Sequence, residues 1–180
     1  MKKIFLALSF LALSFLTFAV ASKAQSADVY CFAAGTKIAV SETAVKNVED
    51  IKKGDKILCF NTLTQEKSIG AVVKTAFTKR KNLVTYTFDD GSSLTATDDH
   101  PFMTNKGWAS LNPSKTVSYK DYGIVSKIEV GDSFVSAKGQ KKLVSTSISS
   151  KARMTYTIVK LSFGDAFYAN GILSGTEELK

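Results

Sequence analysis

Two short segments hold the residue types that chemistry needs: Cys31-Phe-Ala-Ala-Gly35-Thr36 near the start and Thr97-Asp98-Asp99-His100-Pro101-Phe102 at mid-chain. Cys31 supplies a thiol, a strong nucleophile once its proton is removed. His100 is the single histidine in 180 residues, so any imidazole acid–base step near neutral pH falls to it. Thr97 sets a hydroxyl three residues ahead of that ring, able to orient an amide or stabilise an oxyanion. A thiol, an imidazole and a hydroxyl together suit acyl transfer. Each also has an ordinary explanation: a turn histidine before a proline, a threonine at a strand end, and a turn glycine at Gly35 before a β-former. Cys59 is the only other cysteine. In an exported chain two cysteines first suggest a disulfide, which would silence the thiol. A plain buried thiol at Cys59, in the alternating run Lys56–Phe60, is the competing reading.

Short strands must position these residues. Thr36–Val40, Ala44–Val48, Lys56–Phe60, Ile69–Thr78, Leu83–Phe88, Ser93–Ala96, Phe102–Thr104, Ser133–Ala137, Lys141–Ser147, Met154–Phe163 and Ala166–Ala169 read as strands. Asp89-Asp-Gly91 is a hairpin signal, Gly107-Trp108 reads as a turn, and Asn112–Gly123 as a polar stretch. A short helical turn fits Asn47–Lys53, and no long amphipathic helix is evident. Three likenesses suggest a duplicated β unit. Ile51-Lys-Lys-Gly54-Asp55 returns as Ile128-Glu-Val-Gly131-Asp132, Thr85-Tyr86-Thr87 as Thr155-Tyr156-Thr157, and Leu94-Thr-Ala96-Thr97 as Phe167-Tyr-Ala169-Asn170.

The N-terminus carries an export signature. Lys2 and Lys3 precede the apolar run Ile4–Val20, and small residues offer cleavage after Ala21 or Ala24. The expected layout is a secretory signal at 1–24, a short upstream segment at 25–30 and one domain at 31–180, in the periplasm or outside the cell. A retained membrane anchor is the alternative for the first segment. Loss of three lysines with the signal lowers the net charge from +8 to +5. The remaining basic residues are dispersed, with short clusters at Lys79-Arg-Lys81 and Lys141-Lys142 and no stacking aromatics set among them. No nucleic-acid partner is expected, and membrane contact only through the signal before its removal.

Cys31-Phe-Ala-Ala-Gly-Thr36, the Asp89-Asp-Gly91 hairpin, Thr97-x-x-His100-Pro-Phe102 and Phe167-Tyr-Ala-Asn-Gly-Ile-Leu173 occur in this order. The set resembles the Hint superfamily, the self-cleaving domains of hedgehog proteins, inteins and bacterial intein-like proteins. The resemblance runs from residue 31 to about 173 and implies an all-β horseshoe of short strands with pseudo-twofold symmetry. It further implies a cis N-to-S acyl shift at the Tyr30–Cys31 bond. Cys31 would be the nucleophile, His100 the proton donor to the leaving nitrogen, and Thr97 the orienting or oxyanion group. Apart from the resemblance, the position of Asp98 and Asp99 beside His100 suggests that they hold the ring or raise its basicity.

The far end departs from that pattern. Inteins continue the segment resembling Phe167–Leu173 into a hydrophobic residue and then His-Asn, whose Asn cyclises. Here Leu173 is followed by Ser174-Gly175-Thr176, and Asn170 sits inside the strand motif. The expectation is single-turnover self-cleavage without splicing, needing neither metal nor organic cofactor. Its substrate is the chain's own upstream peptide, and water or a small nucleophile resolves the thioester. The alternatives are a catalytically silent exported Hint-fold binding or structural module, a version controlled by a Cys31–Cys59 disulfide, and a cysteine peptidase acting in trans.

Overall fold

The computed structural model describes residues 30–119 and 122–177. The expected secretory segment at 1–24 lies outside the described residues, as does residue 25–29 of the short upstream segment. Fifteen strands, one helix and one 3-10 turn make up the described chain. β1 (Phe32–Ala33), β2 (Lys37–Ala39) and β3 (Val45–Asn47) lead into the 3-10 turn at Val48–Asp50. Two hairpins follow, β4 (Lys56–Asn61) with β5 (Glu66–Arg80), and β6 (Leu83–Phe88) with β7 (Ser93–Ala96). β8 (Phe102–Thr104) pairs with β9 (Gly107–Ser110), and α1 (Pro113–Tyr119) comes next. β10 (Ser126–Lys127), β11 (Ser133–Ser136), β12 (Gly139–Ser149), β13 (Arg153–Leu161), β14 (Ala166–Ala169) and β15 (Ile172–Gly175) complete the order.

The all-β expectation holds, with three local differences. Gly107-Trp108 opens β9 and is not a turn. The turn lies at Asn105-Lys106, where the Thr104 hydroxyl accepts from the Lys106 amide at 3.1 Å and donates to the Gly107 carbonyl at 2.9 Å. The polar stretch after Asn112 contains α1, which Pro113 opens at the position where a missing N–H costs nothing. Strand β15 follows the turn at Asn170-Gly171, where Gly171 takes φ +80°. Its all-buried residues show no alternation for a sequence reading to catch.

Two long strands give the molecule its symmetry. β5 pairs with β4 as far as Ala71, then with β13 from Val72 onward. β12 pairs with β11 as far as Lys142, then with β6 from Leu143. At each bend the same turn grips the strand. Gly54 and Gly131, at φ +93° and +101°, donate to the carbonyls of Val72 and Leu143, both at 2.8 Å. Asp55 and Asp132 accept back from the amides of Val72 and Leu143, both at 2.9 Å. Lys46 pairs with Asp55 at 2.7 Å, and Lys106 with Asp132 at 2.8 Å. The first of the three sequence likenesses is therefore structural.

The second is not. Counting along the ladders from the bends, Tyr86 faces Thr146 while Ile158 faces Thr75. Tyr86 thus corresponds to Ile158, two residues past Tyr156. Both are wholly buried, whereas Tyr156 is half-buried beside Phe77. Threonine and tyrosine recur there because half-buried strands favour them.

The core is aromatic at its centre. Phe32, Tyr86, Phe88, Phe102, Phe134 and Phe167 are buried, with ring centroids 5.2 Å apart for Tyr86–Phe102 and 6.0 Å for Phe32–Phe167. Phe32 brings β1 into this cluster between β7 and β13, so Cys31 enters at the middle of the sheet.

Candidate active site

Cys31 directly precedes β1, and its peptide unit is clamped by one residue. Its amide donates to the Thr97 hydroxyl oxygen at 3.1 Å, and its carbonyl accepts from the Thr97 amide at 2.9 Å. That amide nitrogen belongs to the Tyr30–Cys31 bond. Behind β1, Gly35 at φ +86° closes a turn in which Thr36 bonds the Ala33 carbonyl through its amide at 3.4 Å and its hydroxyl at 2.8 Å. The left-handed backbone at Gly35 favours glycine, and the turn fixes the direction of the strand after Cys31.

The clamp has a twin. Asn170, just past β14, accepts from the Lys37 amide at 2.7 Å through its side-chain oxygen, and its own amide donates to the Lys37 carbonyl at 2.8 Å. Thr97 and Asn170 are the ends of the third sequence likeness. The fold makes this contact twice, once at Cys31 and once on β2.

His100 follows Thr97 through a turn in which its amide donates to the Thr97 carbonyl at 3.3 Å. Its ring is wholly buried among the rings of Phe32 at 4.0 Å, Tyr30 at 5.0 Å and Phe102 at 5.1 Å. It therefore touches the side chains on both sides of Cys31. Neither ring nitrogen has a hydrogen-bond partner among the described residues. Burial pushes its pKa down to about 3, so the imidazole is neutral at physiological pH. A buried polar group left unpaired costs on the order of 1–3 kcal/mol. A core position serving packing alone would favour an apolar side chain.

Asp98 and Asp99 do not hold that ring, contrary to the sequence expectation. Asp98 accepts from the Asn112 side chain at 3.0 Å, and the Lys115 ammonium lies 3.5 Å from Asp98 and 3.1 Å from Asp99. A lysine charge draws a carboxylate more strongly than a neutral imidazole does. Both acids tie α1 to the His100 loop, assisted by the Thr116 hydroxyl donating to the Asp99 carbonyl at 2.7 Å.

Burial pushes the Cys31 thiol up to about 12, against the opposing effects of a Thr155 hydroxyl hydrogen bond and the Arg80 charge. The resting site thus holds a protonated thiol and a neutral imidazole. Cys59 stands apart, its thiol donating to the Ile57 carbonyl at 3.5 Å and abutting Gly70, where a Cβ would come within 2.7 Å. Cys31 and Cys59 are not joined in a disulfide, so the disulfide alternative does not describe this structure. Neither Cys31 nor His100 has exposed surface for a substrate in trans.

A family model described as the Ataxin-1 and HBP1 module (AXH) matches residues 32–139, more than half of the chain. The chain belongs to the AXH family. The matched segment contains Thr97 and His100 and begins one residue past Cys31. No curated protein matches this AXH-family chain in sequence. Among solved structures it is similar to the bacterial intein-like domain from Clostridium thermocellum, at TM-score 0.67 and 24% identity, covering 81% of this chain and 98% of that one. It is also similar to a DnaB intein from Synechocystis sp. PCC 6803, at TM-score 0.64 and 16% identity, covering 82% and 99%. The gp41-1 intein gives TM-score 0.60 and 18% identity, covering 82% and 99%. This AXH-family chain shares the all-β fold of these intein and intein-like structures.

The sequence-expected residues Cys31, Thr97 and His100 come together. Tyr30, Thr155 and Arg80 are additions to the site. Tyr30 was within reach, since its carbonyl belongs to the same bond as the Cys31 amide. Thr155 and Arg80 lie on paired strands β13 and β5 and carry no local signal.

Proposed function

We propose that this chain is an exported autoprocessing domain that cleaves its own Tyr30–Cys31 bond through a cis N-to-S acyl shift and stops short of splicing. One observation carries the reading: the Thr97 hydroxyl sits on the amide nitrogen of that bond, beside a buried imidazole whose ring nitrogens have no hydrogen-bond partner among the described residues. Export rests on Lys2, Lys3 and the apolar run Ile4–Val20.

The shift balances without an outside acid. The Cys31 sulfur bonds the Tyr30 carbonyl carbon as its thiol proton passes to neutral His100. The carbon–nitrogen bond then breaks, and the imidazolium returns that proton to the Cys31 nitrogen, leaving a thioester and a free amine. The net change is one proton moved from sulfur to nitrogen. Thr97 holds the nitrogen in place during the exchange. Water attacks the thioester carbon, releasing a chain ending in the Tyr30 carboxylate and restoring the thiol.

A second reading, a silent Hint-fold binding or structural module, draws support from the Asn170–Lys37 twin, a clamp of the same form on a residue with no thiol to attack the bond before it. A time course separates the two. The cis reaction predicts a product beginning at Cys31, with a first-order rate constant unchanged over a tenfold range of protein concentration and no product from Cys31→Ala. A rate that grows with concentration contradicts cis cleavage. Identical traces for wild type and Cys31→Ala favour the silent module.

A further inference from the structure

The side chain on the acyl side of the proposed scissile bond has a pocket of its own. Tyr30 is wholly buried, and its hydroxyl donates to the Thr176 carbonyl at 2.6 Å. The Tyr122 hydroxyl lies 2.9 Å from it and also contacts the Thr176 carbonyl. Three oxygens thus share two phenolic protons. The Tyr30 ring stands edge-on to His100, and Tyr122 is backed edge-on by Trp108 at 5.1 Å.

The pocket wall is built for this arrangement. A Cβ on Gly175 would fall 2.4 Å from the Tyr122 hydroxyl and 3.0 Å from its ring, so a larger residue there displaces Tyr122. The Thr176 carbonyl is held in place because its own amide and hydroxyl donate to the Asp165 carbonyl at 2.9 and 3.1 Å. Burial holds both phenols well above the ordinary tyrosine range, so each remains a neutral donor. A bare apolar slot would suit any large residue. A carbonyl set at the depth of a phenol oxygen selects tyrosine, because a ring without the hydroxyl leaves those groups with one donor fewer.

We propose that Tyr122, Gly175 and Thr176 form a recognition pocket for tyrosine at residue 30, fixing the acyl carbon beside Cys31 and making cleavage selective for a tyrosyl group. The selectivity rests on the cleavage reading above; the pocket itself does not. The Ser174-Gly175-Thr176 segment, which stands where inteins carry other chemistry, here acts as a positioning element.

The test is a residue-30 series in the full chain, Tyr30→Phe, Tyr30→Leu and Tyr30→Ala, read in two ways. Cleavage is followed by intact mass at a temperature where every variant is folded. Thermal midpoints are measured in the non-cleaving Cys31→Ala background, together with nitration of the tyrosines by tetranitromethane. The expected rate order is Tyr, then Phe slower by roughly tenfold for one lost hydrogen bond. Ala is slower by roughly a hundredfold or more, because the acyl group loses its anchor. Tyr122→Phe slows the tyrosine substrate and narrows the Tyr/Phe ratio, which general destabilisation does not do. Equal rates along the series overturn the proposal. If wild type does not cleave, the cleavage reading fails by itself. The pocket then stands if Tyr30 resists nitration and gives the highest midpoint, and falls if Tyr, Phe and Ala are alike.

Discussion

Replacing Thr97 by valine and Asn170 by glycine puts the same contact to work in two places. Thr97→Val leaves the buried Cys31 amide without its acceptor, a loss of about 1–3 kcal/mol. If Thr97 orients the scissile nitrogen, cleavage falls at least roughly tenfold beyond what stability explains. Asn170→Gly removes the twin while tolerating the left-handed backbone at φ +47°. It lowers the thermal midpoint and leaves the cleavage rate unchanged. Equal rate losses in both variants assign Thr97 to folding alone. His100 makes a separate prediction in pH. Its folded pKa of about 3 lies below the ordinary 6.5, so the unfolded chain takes up a proton that the folded chain refuses. Stability is full above about pH 6.5 and declines as pH falls toward 3. Urea midpoints across that window fall more steeply for wild type than for His100→Leu, and parallel curves contradict a buried neutral ring.

At the scale of elements, α1 holds the His100 loop to the sheet. Lys115→Met strips the cation from Asp98 and Asp99, of which Asp99 is 1% exposed. Because Lys115 is itself 38% exposed, the cost is about 1–2 kcal/mol, well short of that for a fully buried pair. Chemical denaturation checks it, and an unchanged midpoint shows that α1 does not anchor the loop. This helix marks the limit of what the sequence reveals. Strands β6 and β7 were legible because Val84–Phe88 alternates and Asp-Asp-Gly91 signals a turn, whereas the alternation expected for Lys56–Phe60 is absent: Ile57, Leu58 and Cys59 are all buried. α1 is seven residues, polar and without an apolar stripe, so its helical state comes from Asn112 and the two acids beneath it. The clustering of Cys31, Thr97 and His100 was legible from residue type and order. The Tyr30 pocket was not, because Tyr122 lies 92 residues from Tyr30 and Thr176 lies 146 away.

In the whole molecule, two β units bent at Val72 and Leu143 bring both ends of the domain to one place. β1 enters between β7 and β13, and the strand after Asn170 leads into Thr176, which lies against Tyr30. The fold thus puts a thiol, an imidazole and a fixed acyl group together, in a buried setting where thiol and ring are both uncharged at rest. The symmetry explains why Thr97 is where it is, and its asymmetry is what the proposed chemistry requires. The position that carries Asn170 on one side carries Thr97 on the other, and only the second faces a cysteine. The acyl shift is tested most directly by the intact mass of reduced, folded protein tagged ahead of Gln25, with and without hydroxylamine. Hydroxylamine traps a thioester and spares an amide. The account predicts an accelerated loss of the tagged segment as a Tyr30 hydroxamate, absent in Cys31→Ala. An unchanged mass in both proteins contradicts it.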